Sequence, residues 1–127
     1  MADNNHKPMV LVVEDDILNR KLMTFFLREK YELCYGASVA EAKKNLHKFH
    51  PKIILLDLSL LGGENGLDLC DYVLTSEEFK HVPMIAVTAH AFSKDRQICE
   101  QAGCAAYLSK PVKQNELLKM IEKHLTV

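Results

Sequence analysis

No apolar run in the 127-residue chain approaches the roughly 20 residues that a helix needs to cross a bilayer. Surplus charge is missing too. The formal net charge is -1, which removes any global reason to expect binding to nucleic acid or to an anionic membrane. None of the four cysteines (Cys34, Cys70, Cys99, Cys104) shows a CxxC or Cys/His metal spacing. Their even number is compatible with disulfides, but with no secretory signal in view they are expected to stay reduced thiols in the cytoplasm. The opening MADNNHKP is polar, lacks the apolar core of a signal peptide, and is expected to form a loose end over residues 1–8. Repeats, low-complexity tracts and linkers are absent as well. What remains is the expectation of one soluble domain, long enough to bury a real core.

Two kinds of pattern alternate through the chain. Strand-like runs are MVLVV (Met9 to Val13), ELCYGAS (Glu32 to Ser38), IILL (Ile53 to Leu56), PMIAVTA (Pro83 to Ala89) and AAYLS before Lys110. Between them lie helical periods. The first starts at Asp16, with Leu18, Leu22, Phe25 and Phe26 expected as its core face. Ser38 and Glu41 form an S-x-x-E cap that opens a helix over Val39, Ala42 and Leu46. A third helix is expected to bury Leu67, Cys70, Val73 and Leu74. A fourth runs from Ser93 to Ala102 and stops at Gly103, and the last carries Leu117, Leu118, Ile121 and Leu125. Alternating strands and helices predict a parallel sheet covered on both faces, because parallel strands need crossover connections.

In open sheets of this kind, ligands bind at the carboxyl ends of the strands. Strand one ends in Glu14, Asp15 and Asp16, strand three in Asp57 and strand four in Thr88, and Lys110 follows strand five. Strand two ends in GAS, which makes it the candidate outer edge. Carboxylates gathered in a partly dehydrated pocket repel, so either their pKa values rise or a cation joins them. Oxygen ligands favour Mg²⁺, and no histidine or cysteine falls on these ends to favour Zn²⁺. With a phosphoryl group added, Lys110 and Thr88 gain partners and Asp57 becomes a nucleophile. Each residue also has a plainer reading: a helix N-terminus for the acids, a turn for Asp57, strand propensity for Thr88, a surface position for Lys110. The plainer readings require four independent coincidences of position.

The blocks VLVVEDDILNRKL, IILLDLSLL, MIAVTAHA and CAAYLSKP, in this order and spacing, resemble the signature blocks of response-regulator receiver domains. The resemblance runs from about Met9 to the last helix and comes nearest to single-domain cell-division (DivK-type) regulators. It implies a single receiver domain over residues 1–127, with a (βα)5 flavodoxin-like fold and strand order 2-1-3-4-5. Asp57 resembles the phosphoacceptor, charged by a phosphohistidine on a histidine kinase or phosphotransfer protein. Glu14 and Asp15, with Asp57 and the Ser59 backbone carbonyl, match the Mg²⁺ ligands. Thr88 matches the switch hydroxyl, Lys110 the phosphate-binding lysine and Tyr107 the aromatic that turns inward on activation. The Lys110–Pro111 bond resembles one that is usually cis. Such a domain catalyses only its own phosphorylation and dephosphorylation, and its output is altered affinity for a downstream protein effector, with no direct DNA or membrane binding.

Two departures from the pattern stand out. Leu61 occupies a position where many receivers have proline, and the glycine of LSLLGGENG arrives one residue late. Side chains two residues past Asp57 and Thr88 are expected to border the path of hydrolytic water, which gives Ser59 and His90 modulating roles. His47, His50, His81 and His124 are expected to be solvated. Two other functions share parts of this pattern. An aspartate-nucleophile phosphatase would need a second aspartate where Ser59 stands, and a flavodoxin-like cofactor binder would need a phosphate loop where the three acids stand.

Overall fold

The computed structural model describes residues 7–58, 66–89 and 93–125. Five strands alternate with five helices: β1 (Met9–Val13), α1 (Ile17–Leu27), β2 (Glu32–Gly36), α2 (Val39–Phe49), β3 (Ile53–Leu56), α3 (Leu67–Leu74), β4 (Met84–Thr88), α4 (Ser93–Gln101), β5 (Ala106–Ser109) and α5 (Gln114–His124). The strands form one parallel sheet in the order β2-β1-β3-β4-β5. Among the described residues, no helix is long and apolar enough to cross a membrane.

Strand alternation divides the core in two. Successive side chains point to opposite faces, so Leu11 and Val13 of β1 pack with Ile54 and Leu56 on the face that receives Val39, Ala42 and Leu46 of α2 and Leu69, Cys70 and Val73 of α3. Val10, Val12, Ile53 and Leu55 pack on the other face, against Met23 and Leu27 of α1 and Leu117 and Ile121 of α5. Burial on both faces explains the uninterrupted aliphatic runs, since no position of β3 faces water.

Local signals set the helix ends. Glu41 N–H donates to Ser38 Oγ at 3.1 Å, while Glu41 Oε1 accepts from Ala37 N–H at 2.8 Å, so the capping pair forms. Asp16 caps α1 by accepting from Leu18 N–H at 3.3 Å. His50 ends α2 in the left-handed region at φ 48°, a position that a glycine would fill without strain. Gly103 closes α4 at φ 97°, and a Cβ built there would lie 2.3 Å from Leu74 Cδ1.

Three expectations need correction. The apolar face of α1 is not the one its spacing indicated: Leu18 is 72% and Phe25 60% exposed, and Leu22 is exposed as well. Met23 and Leu27, one turn apart, reach the sheet instead, with Phe26 half-buried beside them. The helix carries two apolar stripes, and the sheet can cover only one. In α3 the buried set is Leu69, Cys70 and Val73, while Leu67 (half-buried) and Leu74 (exposed), seven residues apart, share the flank of that stripe. Strands β2 and β4 are also shorter than their apolar runs, ending at Gly36 and Thr88. Of the expected loose end, residues 1–6 lie outside the described residues. Lys7 Nζ donates to Arg28 O at 3.0 Å and Pro8 O accepts from Glu32 N–H at 3.0 Å.

Gly103 gives a test of this architecture. Gly103→Ala forces a side chain into a left-handed backbone, which costs about 1–2 kcal/mol, while exposed Leu74 can swing aside. Urea unfolding should show a lower midpoint with an unchanged slope. A midpoint equal to wild type would contradict the assigned backbone.

Candidate functional site

Strand register brings the acids together. β1 and β3 are adjacent, with Val13 opposite Leu56, and Asp57 N–H donates to Val13 O at 3.0 Å. The residues that follow each strand, Glu14 and Asp57, therefore emerge side by side. Glu14 N–H donates across to Gly36 O at 3.0 Å, which holds the end of β1 against β2. Both side chains are buried, at 3% and 7% exposure, and Asp15 is half-buried beside them. One carboxylate oxygen from each of Glu14, Asp15 and Asp57 lies within 4.8 Å of the other two.

The far side of the sheet supplies the cation. Thr88 ends β4 fully buried, opposite Ser109 of β5, and its carbonyl accepts from Lys110 N–H at 2.8 Å. The Lys110–Pro111 peptide is cis. From there Lys110 Nζ donates to Glu14 Oε1 at 2.7 Å and to Asp57 Oδ2 at 2.9 Å. Gly66 packs against the end of β3. Its N–H donates to Leu58 O at 3.0 Å, and a Cβ there would lie 2.5 Å from the Asp57 carbonyl oxygen, so only glycine permits the approach.

Electrostatics follow from this geometry. Burial pushes the Glu14 carboxyl up, and the Asp57 charge adds to the rise, against the lowering effect of Lys110. Burial pulls Lys110 down, but its hydrogen bonds to Glu14 and Asp57 and their charges outweigh that, so its pKa is raised. Lys110 is thus held protonated. Three carboxylates facing one ammonium still leave negative charge uncompensated when all are ionised. A hard divalent cation suits that donor set: oxygen-only, convergent and over-charged.

The structure thus brings together Glu14, Asp15, Asp57 and Lys110, with Thr88 at the adjoining strand end. Tyr107 lies one strand further out, on β5 opposite Ala86, with the Arg96 guanidinium 5.7 Å from its ring centroid. Ser59, Leu61, the glycine pair that follows it and His90 lie outside the described residues. His47, His50 and His81 are exposed as expected, although His47 also hydrogen-bonds the Tyr72 hydroxyl at 2.7 Å and packs on Phe79.

One feature beside the acids escaped the sequence reading. A groove of about 260 Å³ runs between α1 and Lys110–Val112, lined by Leu22, Phe26, Pro111 and Val112. Exposed Leu18 and Phe25 stand on the same helix, and Phe25 lines a second groove of about 470 Å³ with Ile17, Thr24 and Tyr35. The available signal was the count of apolar residues in α1, too many for a helix with one buried face.

Comparison with known proteins agrees with this geometry. A family profile described as the response regulator receiver domain matches residues 10–122. The polar-differentiation response regulator DivK of Brucella ovis is 36% identical over 117 residues, covering 91% of this chain and 94% of that protein. DivK of Brucella anthropi is 33% identical over the same coverage. Among solved structures, the receiver domain of a Pseudomonas aeruginosa sensor histidine kinase, crystallised with a magnesium ion coordinated in its active site cleft, is 30% identical. It matches with a TM-score of 0.85 over 94% of this chain and 98% of that one. The non-phosphorylated HemR receiver domain of Leptospira biflexa is 29% identical, with a TM-score of 0.81 over 95% and 96% of the two chains. With strand order, acidic cluster and bridging lysine already in place, these matches establish that the chain belongs to the response-regulator receiver-domain family.

Proposed function

We propose that this receiver domain accepts a phosphoryl group on Asp57 from a phosphohistidine donor, and that the modified protein changes its affinity for a downstream protein. The observation that carries the reading is the Lys110 ammonium bridging Glu14 and Asp57 beside a third carboxylate. In the transfer, an Asp57 oxygen attacks phosphorus as the bond to the donor imidazole nitrogen breaks, and the imidazole leaves neutral after taking up a proton. Lys110, already 2.9 Å from Asp57 Oδ2, is placed to follow the charge onto the phosphoryl oxygens. Thr88, at the neighbouring strand end, offers its hydroxyl to another. Glu14, Asp15 and Asp57 would hold Mg²⁺, which offsets the charge of the incoming group. The magnesium ion in the cleft of the Pseudomonas receiver supports that assignment.

The signal then passes outward by a shift between two pre-existing states of the domain. Thr88 and Tyr107 lie on adjoining strands, and in this reading they carry the change from the site to β5 and its flanking helices. The protein acts on nothing but its own aspartate, and turnover of a free phosphomonoester forms no part of the reading. A donor must bring its phosphohistidine to the carboxyl edge of the sheet, beside which lie the α1 groove and its exposed apolar stripe. A phosphohistidine-bearing kinase or phosphotransfer protein of the same compartment, taken as the cytoplasm, would cover that stripe.

Acetyl phosphate with Mg²⁺ should place one hydroxylamine-labile phosphate on the wild type and none on Asp57→Asn. Equal labelling of the variant would refute the phosphoacceptor assignment. Leu18→Glu and Phe25→Glu, at exposed positions, should leave stability and acetyl phosphate labelling unchanged. Their transfer from a phosphorylated protein donor should fall at least about tenfold, equivalent to ~1.4 kcal/mol. Wild-type transfer rates in both variants would remove α1 from the docking surface.

A further inference from the structure

Three of the four cysteines come together around the turn that leads into β5. Cys70 lies in the first turn of α3, Cys99 in α4, and Cys104 in the turn that leads into β5. Cys70 and Cys104 are separated by 34 residues, yet their sulfurs are 3.7 Å apart. Rigid packing fixes both ends of this contact. Cys70 is fully buried against the sheet, and Cys104 is set by the left-handed Gly103 and by its own N–H donating to Cys99 O at 3.0 Å. Cys104 is half-buried, whereas Cys70 and Cys99 are fully buried, so of the three it is the one nearest to solvent. Cys34 stands on β2, at the opposite edge of the sheet from β5, and burial pushes its thiol up to about 11.

We propose that Cys70 and Cys104 form an oxidation site, at which a hydroperoxide closes the two thiols into a disulfide that ties the start of α3 to the turn before β5. The Cys104 thiol loses its proton to water and its sulfur attacks the peroxide. The O–O bond breaks, a sulfenic acid forms, and with hydrogen peroxide the leaving hydroxide takes up a proton to become water. The Cys70 thiol then gives up its proton and its sulfur attacks the Cys104 sulfur, forming the S–S bond as the S–O bond breaks, and the leaving hydroxide takes up a proton to depart as a second water. Two thiols are oxidised and one peroxide is reduced, which balances the step.

The acid–base state of the pair sets its pace. A hydrogen bond from Cys104 holds the Cys70 thiol below its ordinary value, which suits Cys70 to the second attack. The same bond, together with burial, raises Cys104, so the first step is slow and needs sustained peroxide. Such a site stays reduced in a reducing compartment and responds only to stress.

Its consequence for signalling rests on the phosphoacceptor reading above. α3 begins at Leu67, directly after Gly66, whose backbone packs on the Asp57 carbonyl. Cys104 stands two residues before β5, which carries Tyr107 and delivers Lys110. Closing the sulfurs from contact to a bond of about 2.05 Å draws these two segments together and restrains both flanks of the phosphorylation site. The oxidised protein should therefore take phosphate more slowly.

The test uses the folded 127-residue chain treated with hydrogen peroxide, alkylated, and examined by mass spectrometry. The expected result is loss of two hydrogens and a single linked peptide pair, Cys70 to Cys104. The pair should persist in Cys34→Ser and vanish in Cys104→Ala, a half-buried position whose replacement the fold tolerates better than one at Cys70. A Cys99 to Cys104 link, or overoxidised Cys104 without any link, overturns the assignment. Acetyl phosphate labelling of the oxidised protein should be several-fold slower and should recover with dithiothreitol, whereas equal rates overturn the regulatory link. The cross-link is read without phosphate, so failure of the reduced protein to label counts against the phosphoacceptor reading alone.

Discussion

The Lys110 ammonium sits 2.7 Å from Glu14 and 2.9 Å from Asp57, two carboxylates that are almost fully buried. Neither acid has water enough to carry its charge alone, and the Asp57 charge adds to the cost of ionising Glu14. The lysine is what lets both remain at the end of a parallel sheet. Such pairs stabilise little in net terms against an apolar replacement, but removing one partner leaves an uncompensated buried charge. Because the neutralisation is incomplete, the site is poised for a further cation, and a phosphoryl group arriving on Asp57 would compete for the lysine. Structure and function meet in that imbalance.

Topology makes the imbalance possible. β1 and β3 are neighbours, so their acidic ends meet, while β2 lies at the outer edge and contributes only the Gly36 carbonyl that anchors Glu14. β4 and β5 place Thr88 and Lys110 on the opposite flank, and the Lys110 side chain spans the end of the sheet to reach β1. The two apolar layers exist to hold these ends in register. A slip of one residue along β1 or β3 would turn its inward side chains to the wrong layer and carry the acids apart.

The sheet was legible in the chain because strands buried on both faces leave unbroken aliphatic runs, as in Ile53 to Leu56. The acidic cluster was legible for a related reason: every parallel strand ends at the same edge, so residues distant in sequence share an address. Helix faces were less so. α1 carries enough apolar side chains for two stripes, and periodicity cannot say which one the sheet will cover, so exposed Leu18 and Phe25 read as core and Met23 and Leu27 did not. The contact of Cys70 with Cys104 left no local trace at all, since it depends on where α3 and the turn after α4 settle against each other. His50 in a left-handed conformation was similarly silent, because nothing in a histidine announces positive φ.

If the site is a surplus of buried negative charge for which Lys110 is an incomplete counterion, the lysine and a divalent ion must compete. Mg²⁺ titration of the wild type and of Lys110→Ala, followed by calorimetry at neutral pH in one buffer, measures that competition directly. Loss of the ammonium should tighten Mg²⁺ binding by several-fold, even as it lowers the stability of the metal-free protein. Binding that is unchanged or weaker in Lys110→Ala would contradict the account.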